Sequence, residues 1–237
     1  PLSSFGHGEG PAFGREVVRE RTRLGMMVDL RLVSPAVMSH VLDIAESPVI
    51  YSHSSARAIT DHRRNVPDSI LKRLPKNGGI VMVTFVPSFV NPQFGVWEAA
   101  FDSVVTAARA ASQDTAAVRA QVRAWRKEHP LPPATLSDVA DHIEHIRKVA
   151  GADHIGLGSD FDGMGPVTPI GLEDVSDFPT LFAELIRRGW KDKDLKKLAG
   201  ENMLRVMRAN EATAKRLQAA RPPSTKTIQE MDTPAGP

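Results

Sequence analysis

Short apolar runs alternate with helical segments along this chain, and this alternation limits the folds open to it more than any other feature. Four runs have the length of strands, and they lie at residues 26–30, 48–53, 80–86 and 154–160. Strands that alternate with helices, each a short apolar run, are typical of a parallel sheet covered on both faces. The sequence therefore predicts an α/β fold built on a four-stranded parallel sheet.

Helix start and end signals agree with this division. Ser34 followed by Pro35 is typical of an N-cap and the first residue of a helix. Residues 135–151 form a strongly amphipathic segment, capped by Thr135 or Ser137 and ended by a glycine. Other predicted helices cover residues 13–24, 66–74, 176–188 and 191–209, and an alanine- and arginine-rich helical insertion covers residues 92–130.

Four strands do not close a barrel, but they are enough for half of a (β/α)₈ barrel of the TIM type. Such barrels usually have about 250 residues before insertions. We therefore expect residues 1–219 to form one part of a barrel, with residues 92–130 as its insertion. The last segment, residues 220–237, is predicted to be a disordered tail.

Composition excludes several classes of protein. The formal net charge of +2 is too small to indicate a nucleic-acid partner, and there is no Cys for a disulfide or a thiolate metal site. No apolar run approaches the roughly 18–20 residues of a membrane span. The lack of an Asn-x-Ser/Thr sequence favours a cytoplasmic protein. Because the chain opens at Pro1, we expect it to begin part-way through a longer protein, and a secreted or anchored location stays open.

Polar residues stand at the carboxyl ends of three of the apolar runs, where a barrel of parallel strands carries its reacting groups. They are Asp29, His53 and Asp160, and Arg63 and Arg64 lie in the loop after His53. Each also has a structural interpretation: a hydrogen-bonded histidine, an Asp-Phe-Asp-Gly turn whose glycine (Gly163) supplies a positive φ, and a solvated arginine pair. Their shared position favours a functional site, but the residues alone leave both interpretations open.

Two histidines of the segment at residues 135–151 have the spacing of metal ligands. His142 and His145 lie three positions apart, with Glu144 between them. The order differs from the His-Glu-x-x-His of zinc proteases. We therefore interpret this segment as an ordinary amphipathic helix.

Five long motifs occur in a consistent order: SHSSARA…RRNVPD (52–68), GGIVMVTFVPSFV (78–90), ATLSDVADHIEHIRKVAG (134–151), IGLGSDFDG (155–163) and GLEDVSDFPTL (171–181). From about residue 12 to about residue 210, the chain resembles the membrane dipeptidase (renal dipeptidase) family of zinc metallopeptidases. The resemblance implies a metal-dependent, amidohydrolase-like (β/α)₈ barrel. This chain would supply the C-terminal part, about the last four β/α units. It also implies two zinc ions per active site and hydrolysis of a dipeptide substrate.

The resemblance assigns roles to three residues. His53 corresponds to a zinc ligand, and Arg64 corresponds to the arginine that binds the substrate carboxylate. Asp160 corresponds to an aspartate implicated in substrate binding and proton transfer. These residue types suit the chemistry, because an arginine fork matches a free carboxylate and a carboxylate near an attacking water can take its proton. Two zinc ions would acidify that water.

One motif departs from the family pattern. The sequence DLRLVS at residues 29–34 has Leu32 where the family has its first zinc-ligand histidine. Leucine cannot bind a metal ion, and the neighbouring Arg31 would add positive charge if it turned inward. The family's His-x-Asp motif, bridging glutamate and further substrate-binding histidine would all precede Pro1.

Three functions stay open at this point. The chain is an incomplete fragment of a zinc dipeptidase, or a degenerate, non-catalytic homologue, or part of another metal-dependent hydrolase that acts on a different amide. An open sheet edge also predicts self-association, for example as a homodimer.

Overall fold

Three short strands form one parallel sheet at the centre of the molecule. They are β1 (Ile50–Ser54), β2 (Ile80–Val83) and β3 (Ile155–Leu157), in the order β1-β2-β3. Ile50 pairs with Ile80, and Val81 pairs with Ile155. This computed structural model describes residues 12–165 and 167–232 of the chain.

Helices precede, separate and follow the strands, as the sequence predicts, and the α/β class is confirmed. In chain order the α-helices are α1 (Ala12–Arg23), α2 (Pro35–Ile44), α3 (Asp68–Leu71), α4 (Leu74–Asn77), α5 (Pro87–Val90), α6 (Pro92–Ala111), α7 (Thr115–Glu128), α8 (Leu136–Ala150), α9 (Phe178–Arg187), α10 (Asp192–Lys196), α11 (Asn202–Ala220) and α12 (Ile228–Asp232). A π-helical turn at Lys197–Glu201 joins α10 to α11. No described helix combines the length and the apolar character that crossing a bilayer requires.

The run at residues 26–30 is not a strand, which corrects the prediction of four strands. Only Asp29 pairs, as an isolated parallel bridge to Ile50, beside a hydrogen bond of 2.8 Å from Leu30 N to Ile50 O. The next N–H that β1 offers on this side, that of Ser52, donates to the Asp29 carboxylate at 3.1 Å. Because a side chain takes the place of a backbone carbonyl, the ladder stops after one bridge.

Two predicted helix caps are present. Ser34 Oγ accepts a backbone N–H of the first turn of α2 at 3.4 Å. Thr135, rather than Ser137, caps α8 through a capping box, in which Thr135 N donates to the Asp138 carboxylate at 2.7 Å. Such caps stabilise a helix because they give partners to N–H groups that the helix itself leaves unpaired.

Helix α8 covers one face of the sheet. Its fully buried apolar residues, Val139, Ile143 and Ile146, recur at the spacing of one helix face. They pack in the same apolar cluster as Tyr51 and Val81 of the strands. This packing fixes the helix that carries His142 and His145 against the sheet.

The insertion at residues 92–130 consists of α6 and α7, which pack on each other. Trp97 of α6 lies against Trp125 of α7 with ring centroids 5.5 Å apart, and Phe101 of α6 lies 5.9 Å from the same Trp125 ring. Helix α7 contains no buried residue. The insertion is therefore an arm that holds together largely by its own aromatic contacts.

The segment predicted to be a disordered tail, residues 220–237, is described as far as Asp232. It includes α12, and the Asp232 carboxylate accepts the backbone N–H of Phe13 in α1 at 3.2 Å. Residues 233–237 of that predicted tail lie outside the described residues. The same holds for residues 1–11 of the predicted barrel part.

Candidate active site

The carboxyl ends of β1 and β3 bring two of the predicted site residues together. His53 lies in β1, and Asp160 follows β3 by three positions. The Nε2 atom of His53 is 3.9 Å from Oδ2 of Asp160, and both side chains are mostly buried. This distance is too long for a hydrogen bond, so each atom keeps its electron pair for a third group.

The loop after β3 aims the Asp160 carboxylate through an unusual backbone conformation. Asp160 has a φ of 68°, in the left-handed region, where non-glycine residues are uncommon. The turn is present, but Gly163 is not among the residues with positive φ, so the conformation expected of this glycine is wrong. Its N–H donates to Asp160 O at 2.9 Å. A Cβ on Gly163 would lie 2.5 Å from Oδ1 of Asp160, so the glycine makes room for the carboxylate.

A substitution of Gly163 should therefore disturb the site more than the fold. In Gly163→Ala the new methyl group must displace the Asp160 carboxylate, and we expect the ring resonances of His53 to shift in an NMR spectrum. The melting temperature should fall by only a few degrees. Gly200→Ala is the matched control, because a Cβ at that position meets no atom within 4 Å. Unchanged His53 resonances in Gly163→Ala would contradict this account.

The tautomer of His53 follows from its neighbours. Ser52 Oγ donates its one proton to Asp29 Oδ2 at 2.7 Å, and it also lies 3.2 Å from Nδ1 of His53. Since that hydroxyl proton is taken, Nδ1 must carry the proton of the second hydrogen bond. The Nε2 atom, which faces Asp160, is then left without a proton.

Burial, together with two nearby arginines, lowers the pKa of His53 and favours its neutral form. Burial lowers the pKa of His53 below its ordinary value, Asp160 opposes this effect, and the charges of Arg31 and Arg64 lower the pKa further. Near neutral pH the Nε2 atom is therefore able to accept a proton or to bind a cation.

Arg64 is held in place by a buried asparagine next to it in sequence. The side-chain amide of Asn65 donates to Thr60 O at 3.0 Å and to Phe89 O at 2.8 Å. Its oxygen accepts the N–H of Ser55 at 3.0 Å. These three bonds tie the loop after β1 to itself and to α5, a role of Asn65 that the sequence motifs do not indicate.

The guanidinium of Arg64 has a defined orientation but does not use all of its hydrogen-bond donors. Its Nε donates to Arg31 O at 2.8 Å, and its plane lies over Phe89, 5.2 Å from the ring centroid. His62 stacks on the same ring at 4.1 Å. Neither terminal nitrogen of Arg64 donates a hydrogen bond to any residue that the structure describes. Burial and the charge of Arg31 lower the pKa of Arg64, which indicates a site where an added anion would be stabilised.

Arg31 and Leu32, which follow the run at residues 26–30, direct their side chains differently. Arg31 turns inward, and its Nη1 donates to Asp29 Oδ2 at 3.1 Å and to Ser52 Oγ at 3.3 Å. The side chain of Leu32 is 61% exposed. Arg31 was not among the residues that the sequence placed in the site, because its reach toward Ser52 depends on the fold.

The histidine pair of α8 is structural, as expected from the sequence. His142 Nδ1 accepts the N–H of Ala56 at 2.9 Å, and its Nε2 lies 3.1 Å from Val90 O. His145 Nε2 lies 2.7 Å from Asp68 Oδ1. Both rings are used in contacts that hold loops to the helix.

A cavity of about 520 Å³ lies beside the Asp160 loop. Met164, four residues after Asp160, lines one side, and Trp97, Phe101 and Arg126 of the insertion line the other. The insertion therefore contributes surface beside the loop that carries Asp160.

The residues present do not fit the two-zinc centre that the family resemblance implies. Within residues 12–165 and 167–232, no three His, Cys, Asp or Glu side chains are grouped to hold a metal ion. Leu32 offers no donor, and the guanidinium of Arg31 places a positive charge one hydroxyl group away from His53.

Comparison with known proteins first identifies a class of similar proteins, the peptidases of one family. The family model of membrane dipeptidase, peptidase family M19, matches residues 10–221. The chain therefore belongs to the membrane dipeptidase family, a family of metallopeptidases.

Two curated relatives illustrate the similarity. Dipeptidase verJ of Clonostachys rogersoniana is 38% identical over 212 residues, which are 90% of this chain and 44% of that protein. An uncharacterized dipeptidase of Schizosaccharomyces pombe is 41% identical over 205 residues, 86% of this chain and 41% of that protein. The chain thus spans less than half the length of these relatives.

Comparison with solved structures agrees with this family assignment. The probable dipeptidase PvdM from Pseudomonas aeruginosa superposes with a TM-score of 0.70 and 27% identity, over 86% of this chain and 55% of that one. A metallo peptidase from Rhodobacter sphaeroides, liganded with a phosphinate mimic of the dipeptide L-Ala-D-Ala, gives a TM-score of 0.65 and 26% identity, over 86% and 48%.

Proposed function

We propose that this chain forms the substrate-carboxylate side of a metal-dependent dipeptidase. The observation that carries the proposal is the guanidinium of Arg64, which is oriented by Arg31 O and Phe89 and keeps both terminal nitrogens free of described partners. An arginine fork of this kind suits a free C-terminal carboxylate, which a dipeptide carries close to its scissile bond. Family membership supports the same substrate class.

Asp160 is the proposed proton-transfer group and a second contact to substrate, and His53 is the proposed metal ligand. Support comes from the 3.9 Å between Asp160 Oδ2 and His53 Nε2, and from the unprotonated state of that nitrogen. Zinc is the metal that the resemblance implies. The remaining ligands would have to come from outside the described residues, and we derive no step through the metal.

We propose that residues 1–219 are the C-terminal part of a (β/α)₈ barrel, about its last four units. The parallel order β1-β2-β3 supports this, because consecutive strands of such a barrel are neighbours. The coverage of the relatives, 41% to 44%, supports it as well. A cytoplasmic location and a homodimer stay predictions.

A degenerate, non-catalytic homologue is the second candidate function. It is favoured by Leu32, which stands at a ligand position of the family, and by the inward position of Arg31. Such a protein would keep the carboxylate-binding arginine and lose hydrolysis.

Binding and hydrolysis separate these candidates. We expect the chain to bind L-Ala-L-Ala at least about tenfold more tightly than its C-terminal amide, as measured by calorimetry or NMR titration, because only the free carboxylate engages both nitrogens of the fork. Equal binding of the two compounds would remove the support for a dipeptide site. In a longer protein that contains this chain, release of free alanine on addition of Zn²⁺ indicates the dipeptidase, and binding without release indicates the degenerate homologue.

A further inference from the structure

The carboxyl end of β1, together with the run at residues 26–30 beside it, contains an anionic group that suits a cation. The Asp29 carboxylate, the Ser52 hydroxyl and the His53 imidazole follow one another through hydrogen bonds of 2.7 and 3.2 Å. The Asp29 carboxylate is the charged member of this group, and the His53 nitrogen within it is the protonated Nδ1, whereas the electron pair of Nε2 faces Asp160. A positive charge beside this group is therefore more favourable than a negative one.

The structure already holds such a charge there. Arg31 Nη1 lies 3.1 Å from Asp29 Oδ2 and 3.3 Å from Ser52 Oγ, so one hydroxyl group separates the guanidinium from the His53 ring. The Nε atom of Arg31 is buried and has no hydrogen-bond partner among the described residues. A buried Nε–H without a partner costs free energy. The attraction between the guanidinium and the Asp29 carboxylate therefore outweighs this cost.

Backbone contacts keep Arg31 in this position. Its N–H donates to Asp29 Oδ1 at 3.2 Å, and its carbonyl oxygen accepts Nε of Arg64 at 2.8 Å. The residue thus joins the Asp29 group to the carboxylate-binding arginine, whereas the neighbouring Leu32 side chain is 61% exposed. A side chain tied at both its guanidinium and its backbone is not a freely moving surface arginine.

We propose that the guanidinium of Arg31, held beside Asp29 and one hydroxyl group away from the His53 ring, disfavours a divalent cation at Nε2 of His53 by its charge, in addition to the missing ligand at Leu32. The proposal rests on the second candidate function, the degenerate homologue, and it competes with the assignment of His53 as a metal ligand in the dipeptidase. Its test measures metal binding, whereas the carboxylate site is tested by dipeptide binding, so the failure of one leaves the other standing.

The test is a titration of the 237-residue chain with Co²⁺, followed by visible absorption and by the NMR resonances of His53. Four proteins are compared: wild type, Leu32→His, Arg31→Ala/Leu32→His and Arg31→Gln/Leu32→His. We expect wild type to bind no Co²⁺ at His53. We expect the double variants to bind it about tenfold or more tightly than Leu32→His alone, because they add the ligand and also remove the charge.

Controls separate this effect from a general loss of charge or of fold. Arg63→Ala/Leu32→His removes an exposed arginine of the next loop and should bind Co²⁺ no better than Leu32→His. Adding His53→Ala to a double variant should abolish its binding, and thermal unfolding shows that each protein is folded. The glutamine variant keeps the length of the side chain if the alanine variant unfolds. The proposal is overturned if Leu32→His alone binds as tightly as the double variants, if no double variant binds, or if wild type binds Co²⁺ through His53.

Discussion

Replacing Arg64 by alanine should weaken the binding of L-Ala-L-Ala by between about 30-fold and about 1000-fold. Loss of one partner of a half-buried, hydrogen-bonded ion pair costs about 2–4 kcal/mol, and each 1.4 kcal/mol is a factor of ten. The terminal nitrogens of Arg64 are the groups expected to contact the carboxylate, since they have no other partner among the described residues. The measurement is the dissociation constant from calorimetry, at fixed ionic strength.

Two comparisons make this result specific to the carboxylate. Arg64→Lys keeps the charge but loses the fork, so its dissociation constant should lie between those of wild type and Arg64→Ala. The C-terminal amide of the dipeptide should bind equally weakly to wild type and to Arg64→Ala. If the substitution weakens the amide as much as the free dipeptide, Arg64 acts on the fold of the loop and not on the carboxylate.

Replacing His142 by leucine should lower the free energy of unfolding by about 3 kcal/mol. The ring is completely buried and bonds the N–H of Ala56 and the carbonyl of Val90. Leucine fills a similar volume but leaves both backbone groups buried without a partner, at about 1–3 kcal/mol each. Urea unfolding measures the change. His145→Gln is the control, because that partly exposed pair with Asp68 should contribute less than about 1 kcal/mol.

The same histidine should make the protein sensitive to acid. Burial lowers the pKa of His142 to about 4, below the 6.5 expected in the unfolded chain. A histidine with a lowered folded pKa contributes its full stability above the unfolded pKa and loses it as the pH falls toward the folded one. We therefore expect stability to fall between pH 6.5 and pH 4, by roughly 3 kcal/mol from this ring. Urea unfolding across that range should show a smaller fall in His142→Leu.

Three of the four predicted strands are present because each is an apolar run that packs on both faces. The run at residues 26–30 has the same composition, but Asp29 uses its side chain to bind the Ser52 N–H. Sequence periodicity shows which residues are apolar, but it does not show which N–H group a carboxylate binds. The missing strand is therefore a side-chain effect that the pattern could not show.

The candidate site, like the fold, could be predicted from the sequence only in part. Because parallel strands end at one edge, the positions of His53 and Asp160 could be expected from the strand pattern, and the structure places their side chains 3.9 Å apart. The sequence raised an inward Arg31 only as a condition, and it showed nothing of Asn65, since both depend on contacts with residues from other parts of the chain. The left-handed φ of Asp160 was also missed, because a glycine three positions later is the residue that ordinarily carries such a conformation.

The arm formed by α6 and α7 has a consequence for the order in which the sheet assembles during folding. Residues 55–79 connect β1 to β2, whereas the much longer stretch of residues 84–154 connects β2 to β3. Loop-closure entropy grows with the logarithm of length, so the second pairing costs only roughly 1 kcal/mol more than the first. Since α7 buries no residue, an arm shortened until this connection is half as long would change the rate of the second pairing by only about threefold and leave the paired strands as they are.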